Sequence, residues 1–512
     1  MSQESVLPGG GLARLVAAQA LDFGDRHFLE DSQDGRVLTY ARLGRLAGRR
    51  RAALDAAGIP PGTRVLIDIA DPIEFSAAYL GVVAAGRCAV PVNPQAPLGE
   101  LERMVAAARP AAVIGDRPGR VRCLGLPALP AVPSGHGHGH GGGGGHGDGS
   151  GDGHGPADGD AEPSPGSVLL LTSGSTGAPK AVELTEDRLL HVARAVAAHN
   201  RLTPDDRGFS PLPLFHINAE VVALLATLTA GAVLLADRRF RRHGFWETLA
   251  ERDVTWINAV PAILAILAEY PVPARPPRLR FIRSASAPLP AAVRRRIEAL
   301  TGATVVESYG MTEAASQITA TPLDGSAPAG SCGRPVDAEV EVRDASGRPV
   351  PAGTTGRIWI RGAGIIGAYA GGRAAGRFDA RGWLDTRDQG HLDQDGFLFL
   401  AGRSDDVINR GGEMLYPREI EEVLIADSAV RDAVVVGRPD PVLGQVPVAY
   451  VIPARDPATA DGLQALLDQL TARCSAQLSR YKQPQAIYVV EDLPRAATGK
   501  VERNSLREAT PA

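Results

Sequence analysis

Over the first hundred residues, runs of helical length alternate with short Val/Ile-rich runs, and that alternation leaves few folds open. LTYARLGRLAGRRRAALDAAG reads as a helix stopped by glycine, and TRVLIDIA after it as a strand. FSAAYLGVVAAG followed by CAVPVNP repeats the pattern. Strands separated by helices imply a mainly parallel sheet covered on both faces. At 512 residues the chain also exceeds what one hydrophobic core supports, so two or more domains are expected.

Bulk properties exclude several partners. Apolar content of 44% and charged content of 22% are those of an ordinary globular protein, and a formal charge of -4 gives no electrostatic reason to bind nucleic acid or an anionic membrane. Cys88, Cys123, Cys332 and Cys474 lie far apart without a CxxC pair, against a zinc ribbon or disulfide scaffold. The opening MSQESVLPGG has no basic-then-apolar leader pattern, so a cytoplasmic protein is expected. VVALLATLTAGAVLLA has a glutamate just before it and a glycine inside; it reads as a buried helix running into a strand, not a membrane span.

The α/β pattern is interrupted by a Gly/His-rich insertion, 134–166, with almost nothing to bury in a core, so a flexible surface segment is expected. Its histidines (His136, His138, His140, His146, His154) lack the fixed geometry an active-centre metal needs. The α/β pattern resumes at Ser167 and gives way near Ala320 to SCGRPVDAEVEVRDASGRPVPAGTTGRIWIRG, which reads as β-hairpins with Gly/Asp turns. After AGRSDDVINRGGE, PREIEEVLIA, AVVVG, VPVAYVIP, GLQALLDQLTARC and AIYVV form a compact α+β pattern.

The apolar run LLL ends in TSGSTGAPKAV. A Walker A loop needs Gly-Lys-Ser/Thr adjacent, but Ala178 and Pro179 separate Gly177 from Lys180, so a P-loop NTPase is disfavoured. Ser173, Gly174, Ser175, Thr176 and Gly177 can still offer backbone N–H and hydroxyl donors to phosphate. This loop resembles the phosphate loop of the adenylate-forming enzymes, which include acyl-CoA synthetases. PLPLFHINAE, ESYGMTEAAS, GWLDTRDQGHLDQDGFLFLAGRSDDVI and LPRAATGKVERN match that family in order, so that the resemblance runs from about Thr39 to Arg507.

The resemblance implies an α/β fold: a large N-terminal domain of parallel and mixed sheets covered by helices plus a β-rich subdomain (1–402), a hinge (403–405) and a small mobile α+β C-terminal domain (406–512). It also implies roles. Thr172, Ser173–Gly177 and Lys180 would take the phosphates; Ser286, Ala287 and Pro288 with Glu307, Ser308, Tyr309, Gly310 and Met311 would surround the nucleotide, Tyr309 stacking on adenine. Thr312 would contact phosphate and Glu313 hold Mg²⁺, a hard cation suited to carboxylate oxygen. Asp388 and Arg403 would hold the ribose, by acceptance and donation to its oxygens. Asp405 would be the hinge and Lys500 the lysine delivered to the substrate carboxylate and α-phosphate; Lys500, Thr176, Lys180 and Glu313 form the catalytic set. Gly411, Gly412 and Glu413 lie in the loop that would face the CoA tunnel. Arg387 and His391 replace a usual glycine and aromatic, and Arg410 and Met414 a usual small polar residue and asparagine.

His216 and Asn218 begin the family's acyl pocket, and histidine after Phe215 stands where amino-acid-activating relatives carry aspartate. FIRSASAPLP places Arg283, Ser284 and Ser286 by the pocket and adenine, and resembles the stretch in ligases for small dicarboxylates such as oxalate. Two readings of Arg283 stand: a contact to the distal end of a small polar acid, shared with His216, or a structural salt bridge. The reading carried forward is an ATP- and Mg²⁺-dependent acid–thiol ligase with CoA as acceptor, monomeric or homodimeric. A carrier-protein thiol, an amine, or activation of another oxyanion are the alternatives, and a scaffold without catalysis is disfavoured by intact Lys180, Glu313, Asp388, Arg403 and Lys500.

Overall fold

Helix starts follow local capping chemistry. The Thr39 hydroxyl accepts from Arg42 N at 3.2 Å to open the helix Tyr40–Ala56, and the Asp71 carboxylate accepts from Ile73 N and Glu74 N, both at 3.0 Å, to open Pro72–Ala84. The computed structural model describes residues 11–129, 165–172, 180–272, 275–372, 376–403, 406–410, 413–457, 459–495 and 501–508. Most of the Gly/His-rich insertion lies outside these.

The described residues of Met1–Arg26, Thr39–Leu171 and Thr185–Asp187 form one unit. Its parallel strands Ala112–Gly115, Arg64–Asp68, Cys88–Pro91 and Ser167–Thr172 run in that spatial order. The Val/Ile-rich strands are almost wholly buried, as expected for a sheet covered on both faces. Gly81 lets the two capped helices close up, since a Cβ there would lie 2.8 Å from Arg50 Cβ. The helix Gly11–Phe23 is anchored where Gly11 N and Leu12 N donate to the Glu186 carboxylate at 3.0 and 3.1 Å.

The second unit contains the described residues of His27–Leu38, Thr172–Leu184 and Arg188–Ala512. Parallel strands Thr304–Met311, Phe281–Ser284, Trp256–Ala259, Arg207–Ser210, Val233–Ala236 and His27–Asp31 lie side by side. Antiparallel Ser316–Ala320 and Arg334–Pro335 extend the first edge. The long apolar stretch is a π-helix Asn218–Leu225, an α-helix Ala226–Ala230 and the strand Val233–Ala236, joined at Gly231 with φ 68°. Among the described residues no helix is long and apolar enough to cross a membrane.

The Gly/Val-rich region forms the antiparallel sheet Glu339–Arg343, Gly356–Arg361, Leu384–Leu392 and Leu398–Arg403. Beyond it, Val430–Asp440 pairs antiparallel with Gly444–Pro453, which pairs parallel with Ala486–Val489. Alternation along this sheet makes two cores. Val435, Ala449 and Val451 pack with Ile420, Leu424 and Leu470 from the helices Pro417–Ile425 and Ala460–Gln477. Val434, Val436 and Tyr450 pack on the other face with Leu493 and Leu506. The C-terminal segment thus carries its own core. The chain is α/β, with a large sheet-and-helix N-terminal part, a β-rich subdomain and a smaller α+β C-terminal part.

Candidate active site

The strand Thr304–Met311 kinks where its register with Ser316–Ala320 shifts between Tyr309 and Gly310. Only glycine fits at 310, because a Cβ would sit 1.4 Å from the Ser316 carbonyl oxygen. The chain then makes the short turn Thr312–Ala314, with Ala315 and Ser316 at φ 47° and 94°. This close approach turns Glu307–Glu313 along one wall of a cavity of about 430 Å³.

Several distant segments meet at that cavity. Ser284, Ser286, Ala287 and Pro288 follow the strand Phe281–Ser284, and Ser286 takes φ 75°. Glu307, Ser308, Tyr309, Gly310, Met311, Thr312 and Glu313 continue the wall. Asp388 and Arg403 enter from cross-strand partner positions of the β-rich sheet. Asp406, Arg418, Glu421 and Arg503 come from the C-terminal part.

The Tyr309 hydroxyl donates to Asp388 Oδ2 at 2.5 Å, and Arg403 Nε stands 4.0 Å from Asp388 Oδ1. Burial, with the Asp388 charge beside it, pushes the Tyr309 phenol well above its usual range, so it stays a donor. Glu313 is 8% exposed, and its Oε1 accepts from the Tyr369 hydroxyl at 2.7 Å. Burial raises Glu307, opposed in part by Arg294 at 3.1 Å. Burial also pushes the Cys332 thiol up to about 12, so this cavity residue is a protonated wall group, not a thiolate nucleophile. Arg503 pairs with Glu421 at 2.7 Å and Asp406 at 3.6 Å, and Arg507 reaches Asp406 at 2.7 Å.

His216, Asn218 and Arg283 do not line this cavity. His216 precedes the π-helix, its ring centroid 4.3 Å from that of Phe215; burial lowers its pKa to about 4, leaving a neutral imidazole. The Asn218 side-chain oxygen accepts from Asn258 Nδ2 at 2.7 Å. Arg283 is 1% exposed and donates to Asn200 Oδ1 at 3.0 Å, Ser308 Oγ at 3.0 Å and Gln317 Oε1 at 2.5 Å. All three acceptors are neutral; among the described residues Arg283 makes no salt bridge.

Ser173, Gly174, Ser175, Thr176, Gly177, Asp405, Gly411, Gly412 and Lys500 lie outside the described residues. Thr172 and Lys180 are placed only as backbone, at the end of the strand Ser167–Thr172 and the start of the strand Lys180–Thr185. Glu413 opens the strand Glu413–Leu415 and is exposed. Arg387, where the resemblance expects glycine, has φ 64°, the conformation that favours glycine. Sequence reasoning passed over Tyr369, Arg377, Thr386, Arg418, Glu421 and Arg503. Thr386 and Arg503 sit inside quoted motifs, which was a usable signal; Tyr369 and Glu421 carry none outside the fold.

A family model described as AMP-binding enzyme matches residues 16–370, and one described as AMP-binding enzyme C-terminal domain matches 419–500. The chain is 34% identical to a sulfoacetate–CoA ligase of Cupriavidus necator over 97% of each chain. It is 32% identical to an oxalate–CoA ligase of Arabidopsis thaliana over 96% of this chain and 97% of the other. Among solved structures, ATP-bound MatB from Rhodopseudomonas palustris superimposes with a TM-score of 0.82 at 27% identity, over 97% of this chain and 98% of that one. An o-succinylbenzoate CoA synthetase of Bacillus subtilis holding its acyl-adenylate gives 0.80 at 27% identity, with the same coverage. The chain belongs to the AMP-binding enzyme family, whose CoA ligases use ATP and CoA.

Proposed function

We propose that this chain, an AMP-forming acid–thiol ligase, joins a small polar carboxylic acid to coenzyme A in two steps at the cavity described. A carboxylate oxygen attacks the α-phosphorus of ATP and the bond to pyrophosphate breaks, giving acyl-AMP. The CoA sulfur then attacks the acyl carbon, the bond to AMP breaks, and the thiol proton passes to water. Dividing the reaction converts a poor electrophile into a mixed anhydride with a good leaving group. The observation that carries the reading is the convergence of Ser284, Ser286–Pro288, Glu307–Glu313, Asp388 and Arg403 on one cavity.

Within it, Asp388 accepts from the ribose hydroxyls and Arg403 donates to sugar oxygen, while Tyr309 and the Ser286–Pro288 backbone flank adenine. Tyr309 now occupies one Asp388 oxygen, and a ribose hydroxyl is a like-for-like replacement for that phenol. Glu313 fits a magnesium ion: it is a hard oxygen donor at the cavity wall, and a carboxylate keeps lone pairs after its bond from Tyr369. That ion would supply charge neutralisation at the triphosphate. Ser173–Gly177 cradle the phosphates, Thr176 and Lys180 acting with Glu313. Asp405 is the hinge by which the C-terminal part brings Lys500 to the acid and α-phosphate, then presents Gly411–Glu413 to the incoming thiol.

The test is mass spectrometry of products from MgATP, CoA and a pool of short acids. The reading expects AMP, pyrophosphate and one dominant acyl-CoA; ADP with phosphate, or no acid-dependent AMP, would overturn it.

A further inference from the structure

Arg377 is a cation in the wall of the nucleotide cavity, and it lies outside every family motif quoted above. It is 7% exposed, and its Nη2 is buried without a hydrogen-bond partner. Among the described residues it makes no ion pair. Two carboxylates close to it along the chain are engaged elsewhere, Asp379 with Arg343 at 2.7 Å and Asp385 with Arg357 at 3.2 Å. A desolvated cation is ordinarily paired, because little else repays its lost hydration. For a residue that lines a cavity, the partner within reach is an anion bound there.

Two contacts fix where the guanidinium stands. Its Nε donates to the Asp385 carbonyl at 2.8 Å, and Asp385 N donates back to the Arg377 carbonyl at 2.9 Å, three residues before Asp388. Its Cζ lies 5.8 Å from the centre of the Tyr369 ring, whose hydroxyl donates to Glu313. Arg377 is thus tied on one side to the segment that carries Asp388 and on the other to the tyrosine that holds Glu313. In the ligase reading these are the ribose end and the magnesium end of the nucleotide, and the phosphate chain runs between them. Arg387 brings a second positive charge to the same place. Burial and the Glu313 charge raise the Tyr369 phenol, and the charges of Arg377 and Arg387 both work against that rise.

We propose that Arg377 is a catalytic cation that binds the β- and γ-phosphates of ATP, the half of the triphosphate that departs as pyrophosphate. The proposal rests on the ligase reading above. As the carboxylate oxygen attacks the α-phosphorus, the bond to the bridging oxygen breaks and its electron pair leaves with pyrophosphate. A guanidinium braced on the Asp385 carbonyl donates hydrogen bonds to the phosphate oxygens where that charge collects, and its planar fork matches phosphate geometry. AMP lacks the departing group, so Arg377 grips the triphosphate and leaves the retained nucleotide untouched.

The experiment is calorimetric binding of AMP and of ATP with magnesium, in the absence of any acid, to the full chain and to Arg377→Gln and Arg377→Lys. Arg377→Gln should weaken ATP about 10- to 100-fold, the scale for losing a hydrogen bond to a charged group, and change AMP less than about threefold. Arg377→Lys should recover at least about threefold of that loss, since it restores the charge without the fork. Equal weakening of AMP and ATP would overturn the assignment, leaving Arg377 as a support for the strand that carries Asp388, and so would unchanged ATP affinity in Arg377→Gln. Full recovery of ATP affinity by excess magnesium would also overturn it, because Arg377 would then act on Glu313 through Tyr369. A crystal structure of the wild type with ATP and magnesium needs no variant: it should place an Arg377 nitrogen within about 3.2 Å of a β- or γ-phosphate oxygen, and a guanidinium still turned away from both phosphates would contradict the proposal. A wild type that binds neither AMP nor ATP would instead overturn the ligase reading on which it stands.

Discussion

Glu313 and Tyr369 form a pair in which one residue was legible and the other was not. Glu313 is marked by its motif, but the hydroxyl that orients it comes from Tyr369, 56 positions away, and only the fold brings that donor to 2.7 Å. Glu313→Gln should lower pyrophosphate exchange by about 100-fold or more. Tyr369→Phe should cost about tenfold and raise the magnesium concentration needed for half-maximal exchange, as losses of outer hydrogen bonds to metal ligands do. A titration of both variants against MgCl₂ checks this. His216 gives a pH prediction. Its folded pKa of about 4 lies below the ordinary 6.5, so between these values the unfolded chain binds the extra proton. Its contribution to stability is complete above pH 6.5 and is lost as pH falls toward 4. Urea unfolding across that window should show a smaller acid loss in His216→Gln than in the wild type. Arg283 shows a further limit of the sequence. Its neighbours FIRSASAPLP suggested the pocket, but whether its partners were carboxylates depended on Asn200 and Gln317, which no spacing rule connects to it.

Among elements, the helices and strands were readable wherever periodicity and punctuation agreed. Tyr40–Ala56 ends just before Gly58 at φ 66°, and the AVVVG and VPVAYVIP runs lie in the strands Val430–Asp440 and Gly444–Pro453 as their composition leads one to expect. The π-helical winding of Asn218–Leu225 was not readable, because after Glu220 the stretch is uniformly apolar and has no phase to betray a change of period. The last helix, Arg503–Glu508, has a role its length hides. Arg503 and Arg507 tie Asp406 and Glu421 together, and Glu421 also accepts from Val435 N at 2.7 Å. Arg503→Met should therefore destabilise the protein by about 1–2 kcal/mol, by leaving the partly buried Glu421 carboxylate without its cation while Asp406 keeps Arg507. Denaturant titration followed at the Val430–Pro453 hairpin by hydrogen exchange would register it locally.

For the whole molecule, the two-step reading depends on the C-terminal part working in more than one position. Tyr416 hydrogen-bonds Gln389 at 2.6 Å, and Arg418 donates to the Leu400 carbonyl at 3.0 Å; such polar ties can be exchanged for water at modest cost. Lys500→Ala should lower acyl-AMP formation by about 100-fold or more and largely spare thioester formation from pre-made acyl-AMP. The family was legible in five ordered motifs, because each is a short contiguous segment that can be recognised without the fold. The most direct test of the account is oxygen transfer. When the acid is labelled with ¹⁸O in its carboxylate and turned over with MgATP and CoA, one labelled oxygen should appear in AMP, as attack of that carboxylate on the α-phosphorus requires. Label in inorganic phosphate with release of ADP, or AMP free of label, would contradict it.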